Sequence, residues 1–348
     1  MNQSGQYQTF GIAGWGGSPN FDGYMANIVH LDGQYLDQSY FGETKNGIWV
    51  PKEITGLTFG TNGFHLTFAN SSAIGDDISG NNNDFTPTGL TSDDIVEDSP
   101  TNNFCTLSPI GRRYGQSYAG SFTEGGLEAA SSGNATHIYG NMAINNIVSE
   151  GGVYFEIRLN SIDTSRTYFG VAGDSGFNNK NSNANGASYS IPIKGMLSSA
   201  GYGYFTTSTD GSGSLNLTAT TYTNGDIIGV AILSDGKFFI SKNGTYITNT
   251  SGNTGNPSTG ANPIATIDLT EGDWVPYVGY NSTFNINFGQ DSSFGGRETR
   301  GANQDANGIG NFKYAVPTNC LALCSSNMAE PAIGPNSATQ ADDHFNTV

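Results

Sequence analysis

The sequence predicts an all-β protein, and three observations carry that prediction. Apolar residues recur at every second position in short runs, turn dipeptides bracket those runs, and no window sustains a helical period. The composition agrees, because 49 Gly beside 20 Phe and 17 Tyr, with only 12% charged residues, suits a turn-rich chain with an aromatic core. Disordered chains lack aromatics spaced for burial.

Taken in order, Phe64, Leu66 and Phe68 alternate with His65 and Thr67. Val153, Phe155, Ile157 and Leu159 alternate with Tyr154, Glu156 and Arg158, and Phe284, Ile286 and Phe288 with Asn285 and Asn287. Each run is expected to turn its apolar members to one sheet face and its polar members to solvent. Residues 227–233 are almost wholly apolar, so they are expected to form a central strand buried on both faces. Asn224-Gly225 precedes that run and Asp235-Gly236 follows it; residues 237–241 form the next strand, closed by Asn243-Gly244. Residues 92–98, SDDIVED, can form one helical turn but are too short to stand alone. The acidic stretch 91–103, with Pro100, places a junction near residue 105. The expected organisation is a partial sandwich or strand-rich region and connector over 1–105, a complete sandwich over 106–327, and a linker with the start of a further unit over 328–348.

Lys and Arg number 13 against 30 Asp and Glu, a formal charge of −17 over 348 residues. Such a chain repels phosphates, which makes nucleic acid and anionic membranes poor partners. No run of 18 apolar residues exists and the N-terminal residues lack the basic and apolar regions of a signal peptide. Three cysteines, Cys105, Cys320 and Cys324, are too few and too sparse for a disulfide framework.

Catalytic constellations are missing as well. A nucleophilic triad needs a His near Ser or Cys, and the four histidines are scattered: His30 ends a strand, His65 lies on a polar strand face, His137 is in a polar run and His344 in the tail. Asp76-Asp77, Asp93-Asp94 and Asp342-Asp343 are adjacent pairs, which an extended chain points to opposite faces, so they make poor acid/base partners. Asp76, Asp77, Asn81, Asn83 and Asp84 place hard oxygen ligands in one Gly-containing loop, the chemistry calcium favours, although such turns also arise for conformational reasons. No other cofactor is expected. Trp15, in a Gly-rich stretch, and Tyr202 and Tyr204 are candidate sugar contacts, while Trp49 and Trp274 are expected in the core.

Five segments resemble the SPRY family, a concanavalin A-like, jelly-roll sandwich: GGVYFEIRLN at 151–160, YFGVAG at 168–173, GDIIGVAILSDGKFFISKNGTYI at 225–247, DWVPYVGY at 273–280 and FNINFGQ at 284–290. The acidic residue after Gly in Gly225-Asp226 and the turn Lys242-Asn243-Gly244 belong to that likeness. Residues 21–110 look like the end of a laminin-G-like or lectin-like domain, and 60–109 are similar to the connector that joins such domains to SPRY modules in phage virion proteins. The resemblance implies a non-catalytic structural or adhesion component of a bacteriophage virion: a fibre, tail appendage or capsid decoration. Its partners would be other virion subunits in a homo-oligomer, and host surface glycans. The alternative is a carbohydrate-binding adhesin or extracellular fibre subunit on a bacterial surface.

Overall fold

The structure is a computed structural model describing residues 9–11, 21, 23–45, 48–109, 120–131, 137–148, 151–163, 167–173, 193–199, 202–206, 214–217, 221–249, 251–270 and 272–328, with backbone alone for 193–199, 202–206 and 214–217. The chain divides into two compact units, one formed by residues up to 95 with 99–101, the other by 96–98 and the residues from 102 onward. No helix among the described residues is long and apolar enough to cross a membrane.

The first unit holds two antiparallel ladders. β1 (Ile28–His30) pairs with β4 (Phe64–Leu66), and β2 (Gly42–Lys45) pairs with β3 (Ile48–Pro51). Two-stranded ladders are marginal in water by themselves, and an aromatic cluster backs the first of them: Phe64 meets Phe10, Phe85 and His30 at ring separations of 5.7, 5.0 and 5.2 Å. Two expectations fail here. Phe68 does not continue the strand, because its φ of +60° turns the chain into the left-handed region. His65 is buried rather than facing solvent, its ring stacked on Phe59 and its Nε2 3.2 Å from Asn27 Oδ1.

The second unit is a sandwich. Its strands are β5 (Leu107–Ser108), β6 (Gly120–Thr123), β7 (Glu128–Ser131), β8 (His137–Gly140), β9 (Gly152–Ser161), β10 (Tyr168–Gly173), β11 (Ile193–Ser199), β12 (Tyr202–Thr206), β13 (Ser214–Leu217) and β14 (Ile227–Ile232). There follow β15 (Lys237–Lys242), β16 (Thr245–Tyr246), β17 (Ala265–Thr266), β18 (Trp274–Gly279), β19 (Thr283–Asn287) and β20 (Cys320–Ala322). One sheet runs β13-β12-β11-β10-β18-β8-β5, and the other β16-β15-β14-β9-β19-β7-β6, with β17 on β15 and β20 parallel to β9. All other pairings are antiparallel. β14 occupies one edge of β9 along its length, so β20 fills the opposite edge at Gly152–Tyr154, beyond the end of β19.

The core lies between the sheets. Phe155, Ile157, Val230, Phe284 and Ile286 from the second sheet meet Ile138, Phe169, Val171, Trp274 and Val278 from the first. Trp274 is fully buried, as expected, and its Nε1 donates to the Asp268 carbonyl at 2.9 Å. β14 is buried at every position, also as expected of a central strand. Between β15 and β16, Asn243 (φ +49°) and Gly244 (φ +80°) form the two-residue loop joining Lys242 to Thr245, the left-handed pair a type I′ turn requires.

The polar positions of the second sheet do not face water. Tyr154, Glu156, Asn285 and Asn287 are all buried, which corrects the expectation of one solvated face. The cause is the chain after β19, which folds back over that face and makes a third layer. Phe312 from this cover, together with Phe104 and Cys324, packs with Tyr154, Ala231 and Phe239 of the sheet and with Cys320 and Ala322 of its strand β20. Phe312 meets the Tyr154 ring edge-on at 5.3 Å. Substituting Phe312→Ala should therefore lower the unfolding free energy by ~3–5 kcal/mol, the usual range for deleting a buried aromatic. Urea denaturation reads it, and a loss below ~1 kcal/mol would mean the cover is not part of the cooperative core.

Candidate functional site

The chemistry-bearing groups of the second unit gather on the covered face of the sandwich. Strand alternation puts Glu156 of β9 on that face, beside Asn287 of β19. The Glu156 carboxylate accepts from Lys313 N at 2.9 Å and Asn287 Nδ2 at 3.1 Å on one oxygen, and from Tyr314 N at 2.8 Å and Tyr154 OH at 3.1 Å on the other. Burial pushes this carboxyl up to about 7, and the four donors work against that rise. Around it, Arg158 pairs with Glu298 at 2.9 Å and Arg297 with Glu128 at 2.8 Å. Every lone-pair direction of Glu156 is in use, so it serves as a strut between sheet and cover and has no position left for a substrate.

A second cluster fixes the β14–β15 hairpin. Asp226 receives Lys242 Nζ at 2.8 Å, Thr223 N at 2.7 Å and Asn243 Nδ2 at 2.8 Å, while Asn243 Oδ1 accepts Ile227 N at 2.8 Å. Burial acts to raise the Asp226 carboxyl, but the Lys242 ammonium and the Thr223 and Asn243 donors outweigh it and hold it below the usual range. The acidic residue of Gly225-Asp226 and the turn Lys242-Asn243-Gly244 are thus two halves of one clasp.

Of the sequence-predicted candidates, the structure brings Asp77, Asn81, Asn83 and Asp84 together in one loop. Trp15 lies outside the described residues, as do His344 and the Asp342-Asp343 pair. Tyr202 and Tyr204 sit in β12, with their side chains and that of His137 outside the described residues. Trp49, expected in the core, is 48% exposed and rests on Gly42, whose missing Cβ leaves room for its ring. All three cysteines are buried as free thiols; burial pushes Cys105 and Cys320 up to about 12 and raises Cys324 as well, which keeps them protonated and poor as nucleophiles or ligands.

In the loop of candidate calcium ligands the oxygens are largely engaged. Asp77 accepts from His65 N at 2.8 Å, Ser79 N and Asn83 N at 2.9 Å, and Ser79 Oγ at 2.8 Å. Burial favours a higher Asp77 pKa, and these donors prevail and lower it. Asp84 Oδ1 accepts from Asp77 N at 2.9 Å, and the amides of Asn81 and Asn83 both donate to the Gly63 carbonyl at 2.9 Å. Asp76 contributes a backbone N–H to the Ala73 carbonyl at 3.0 Å. The loop closes on β4 through its own hydrogen bonds. Among the described residues no three His, Cys, Asp or Glu side chains gather around a point that could hold a metal ion.

One concavity of the second unit is roomy enough for a small ligand. Four turns form it: Leu233 to Lys237 of the β14–β15 hairpin, Thr259-Gly260, Ala306-Asn307 and Thr318-Asn319, with Gly151 and Leu321 also lining it. Its volume is about 630 Å³. Asp235 and Lys237, paired at 2.7 Å, are its charged groups.

No protein-family model and no curated protein matches the sequence. Among solved structures it is similar to the SPRY domain of human HERC1, at 16% identity over 48% of this chain and 92% of that one, with a TM-score of 0.32. The TRIM65 PSpry domain aligns at 10% identity over 53% of this chain and 89% of that one, with a TM-score of 0.34. The cellulose-induced protein Cip1 aligns at 15% identity over 53% and 89%, with a TM-score of 0.27. Likeness at this level adds nothing to the assignment of an antiparallel β-sandwich, which rests on the strand pairing itself.

Two outcomes are expected from these networks. The folded-state pKa of Glu156 lies above its unfolded value, so the fold binds the extra proton, and its contribution is complete below pH ~4.5 and disappears as pH rises through about 7. Stability should fall across that window by on the order of 3 kcal/mol from this group, and Glu156→Gln should remove that slope while lowering stability overall. Chemical denaturation at pH 5 and pH 8.5 checks it; an unchanged slope in Glu156→Gln would assign the pH dependence elsewhere. In the first unit, Asp77→Ala should lower the thermal midpoint because it strands buried backbone N–H groups, while EDTA leaves the wild-type midpoint in place. A midpoint lowered by EDTA would restore the calcium reading.

Proposed function

We infer that the chain is a non-catalytic structural and adhesion component of a bacteriophage virion, built to associate with further subunits. One observation carries the assembly part of this reading: among the described residues, the exposed large hydrophobic side chains all belong to the first unit. Phe10, Phe21, Tyr24, Tyr35, Tyr40 and Trp49, with Ile78 and Leu90, are its exposed members, and no such residue is exposed among the described residues of the second unit, despite its far larger core. Concentrated exposed apolar and aromatic surface on one unit favours protein association over a lone monomer in water. The absence of catalysis is supported by the engagement of Glu156 and Asp226 in structural hydrogen bonds and by the raised, buried thiols. The phage context rests on the sequence resemblance of the connector. A carbohydrate-binding adhesin is the second reading, favoured by the polar cleft on the sandwich.

The test has two parts. Sedimentation of the purified full chain should show a concentration-dependent oligomer, and the double variant Tyr35→Ser, Trp49→Ser should weaken association at least ~10-fold, the cost of ~1.4 kcal/mol at the interface. Immunogold labelling of native particles should then decorate a shell, tail or fibre in a symmetric array. A chain that stays monomeric at high concentration and labels no particle would overturn the reading.

A further inference from the structure

The geometry points to the cleft at the turn end of the second unit as a binding site for a neutral, hydroxyl-rich ligand: a mono- or oligosaccharide. This inference rests on reading the sandwich as a non-catalytic body, and it concerns residues apart from Trp15, Tyr202 and Tyr204.

Size comes first. About 630 Å³ lies within the range of small-molecule sites and accommodates one or two sugar rings. The shape is held by short turns tied to the framework. Leu233 N donates to the Lys237 carbonyl at 2.9 Å, Gly152 N to the Asn319 carbonyl at 2.5 Å, and Asn319 Nδ2 to the Ser258 carbonyl at 3.0 Å. Asn307 is likewise pinned, its Nδ2 donating to Asn327 Oδ1 at 2.8 Å. A site whose walls are already ordered loses little entropy on binding.

Chemistry then selects the ligand. Ser234, Asn307, Thr318 and Asn319 are four neutral polar residues among those lining the cleft, and no hydrogen bond among the described residues engages Ser234 Oγ, Thr318 Oγ1, Asn319 Oδ1 or Asn307 Oδ1. Asp235 and Lys237 compensate each other, which leaves no net charge for an anion or a cation to neutralise. The overall charge of −17 opposes anionic ligands further. A peptide would seek a free strand edge or apolar side-chain pockets, whereas these walls are turns and the apolar residues Leu233 and Leu321 are buried. A ligand that both donates and accepts at several points, and carries no charge, matches what remains. Sugars do so through vicinal hydroxyls.

Gly151 supplies a clean probe. A Cβ there meets Leu321 Cδ1 and Asn319 O at 3.4 and 3.5 Å, ordinary contact distances, so a side chain can start at 151 among residues that line the cleft, and Gly151→Leu is the variant chosen to obstruct it. The experiment is a glycan array probed with the full chain, followed by titration with the free methyl glycosides of glucose, galactose, mannose and N-acetylglucosamine and their oligomers. Binding to at least one class is expected, weakened about 10-fold by Asn319→Ala and by Ser234→Ala, each removing one hydrogen-bond partner, and abolished by Gly151→Leu. Circular dichroism and sedimentation confirm that each variant keeps its fold and assembly state. Retention of no glycan by the wild type overturns the inference, as does binding that persists in folded Gly151→Leu or that Trp15→Ala alone removes. None of these results depends on particle labelling, so failure of the virion reading and failure of the saccharide site are separately visible.

Discussion

A fully buried carboxylate needs a partner for every oxygen lone pair it keeps, and Glu156 imposes that condition on the middle of the second sheet. Two of its four donors are backbone N–H groups of Lys313 and Tyr314, which come from a segment 157 and 158 residues away in sequence. The cover cannot lift without breaking both of these backbone hydrogen bonds. Tyr154 and Phe312 add apolar area to the same junction, so polar and apolar terms hold the cover at one point. The third layer follows: with Glu156 in place, the chain at Lys313-Tyr314 is held against the sheet.

The same logic explains why a glycine stands in the middle of the most buried strand. A Cβ at Gly229 would collide with Ser241 Oγ and sit 2.8 Å from Tyr154 OH, so the absent side chain makes room for the tyrosine that donates to Glu156. Glycine weakens a strand interior by itself, and the hydrogen bond it permits offsets that cost. Ala231, two residues on, packs in one cluster with Phe239, Cys320 and Cys324. Small residues on β14 and large ones on Phe312 and Tyr154 are one packing solution.

The sequence disclosed the elements whose signal is local. The hairpin from 227 to 246 was legible because a two-residue Asn-Gly turn and an unbroken apolar run depend on a few adjacent residues. Alternation in β9 and β19 was legible too, but its meaning was not. Polar residues at alternate positions ordinarily mark a solvated face, and here Glu156, Asn285 and Asn287 are buried because a distant segment covers them. Nothing within ten residues of Glu156 reports that. The one available signal was spread out: Phe294, Ile309 and Phe312 are apolar anchors in a stretch otherwise rich in Gly and Asn, and a loop that long in a compact domain needs something to pack against. Trp49 misled in the opposite sense, since a strand-like context says nothing about whether a second sheet exists to bury it. The cleft was invisible for the same reason as the cover, being assembled from four turns separated by up to eighty-odd residues.

The two units satisfy their polar and apolar groups by different means, and this difference bears on what each can do. In the second unit even the outward face of one sheet is closed by internal partners, with Asp305 receiving Ile309 N, Ala322 N and Asn327 Nδ2, and Asp291 receiving Ser293 N and Gly295 N. Loops tied down in this way are poor at remodelling around a partner but good at holding a fixed set of hydrogen-bonding groups, which is what recognition of a rigid, hydroxylated ligand demands. The first unit has short ladders, one compact aromatic cluster, and Tyr35 at 94% exposure. Its stability rests on local hydrogen bonds such as those to Asp77 more than on a large core. Covering those aromatics with another subunit would supply the apolar burial that the unit lacks, and under the proposed assembly role such association would stabilise the fold by mass action.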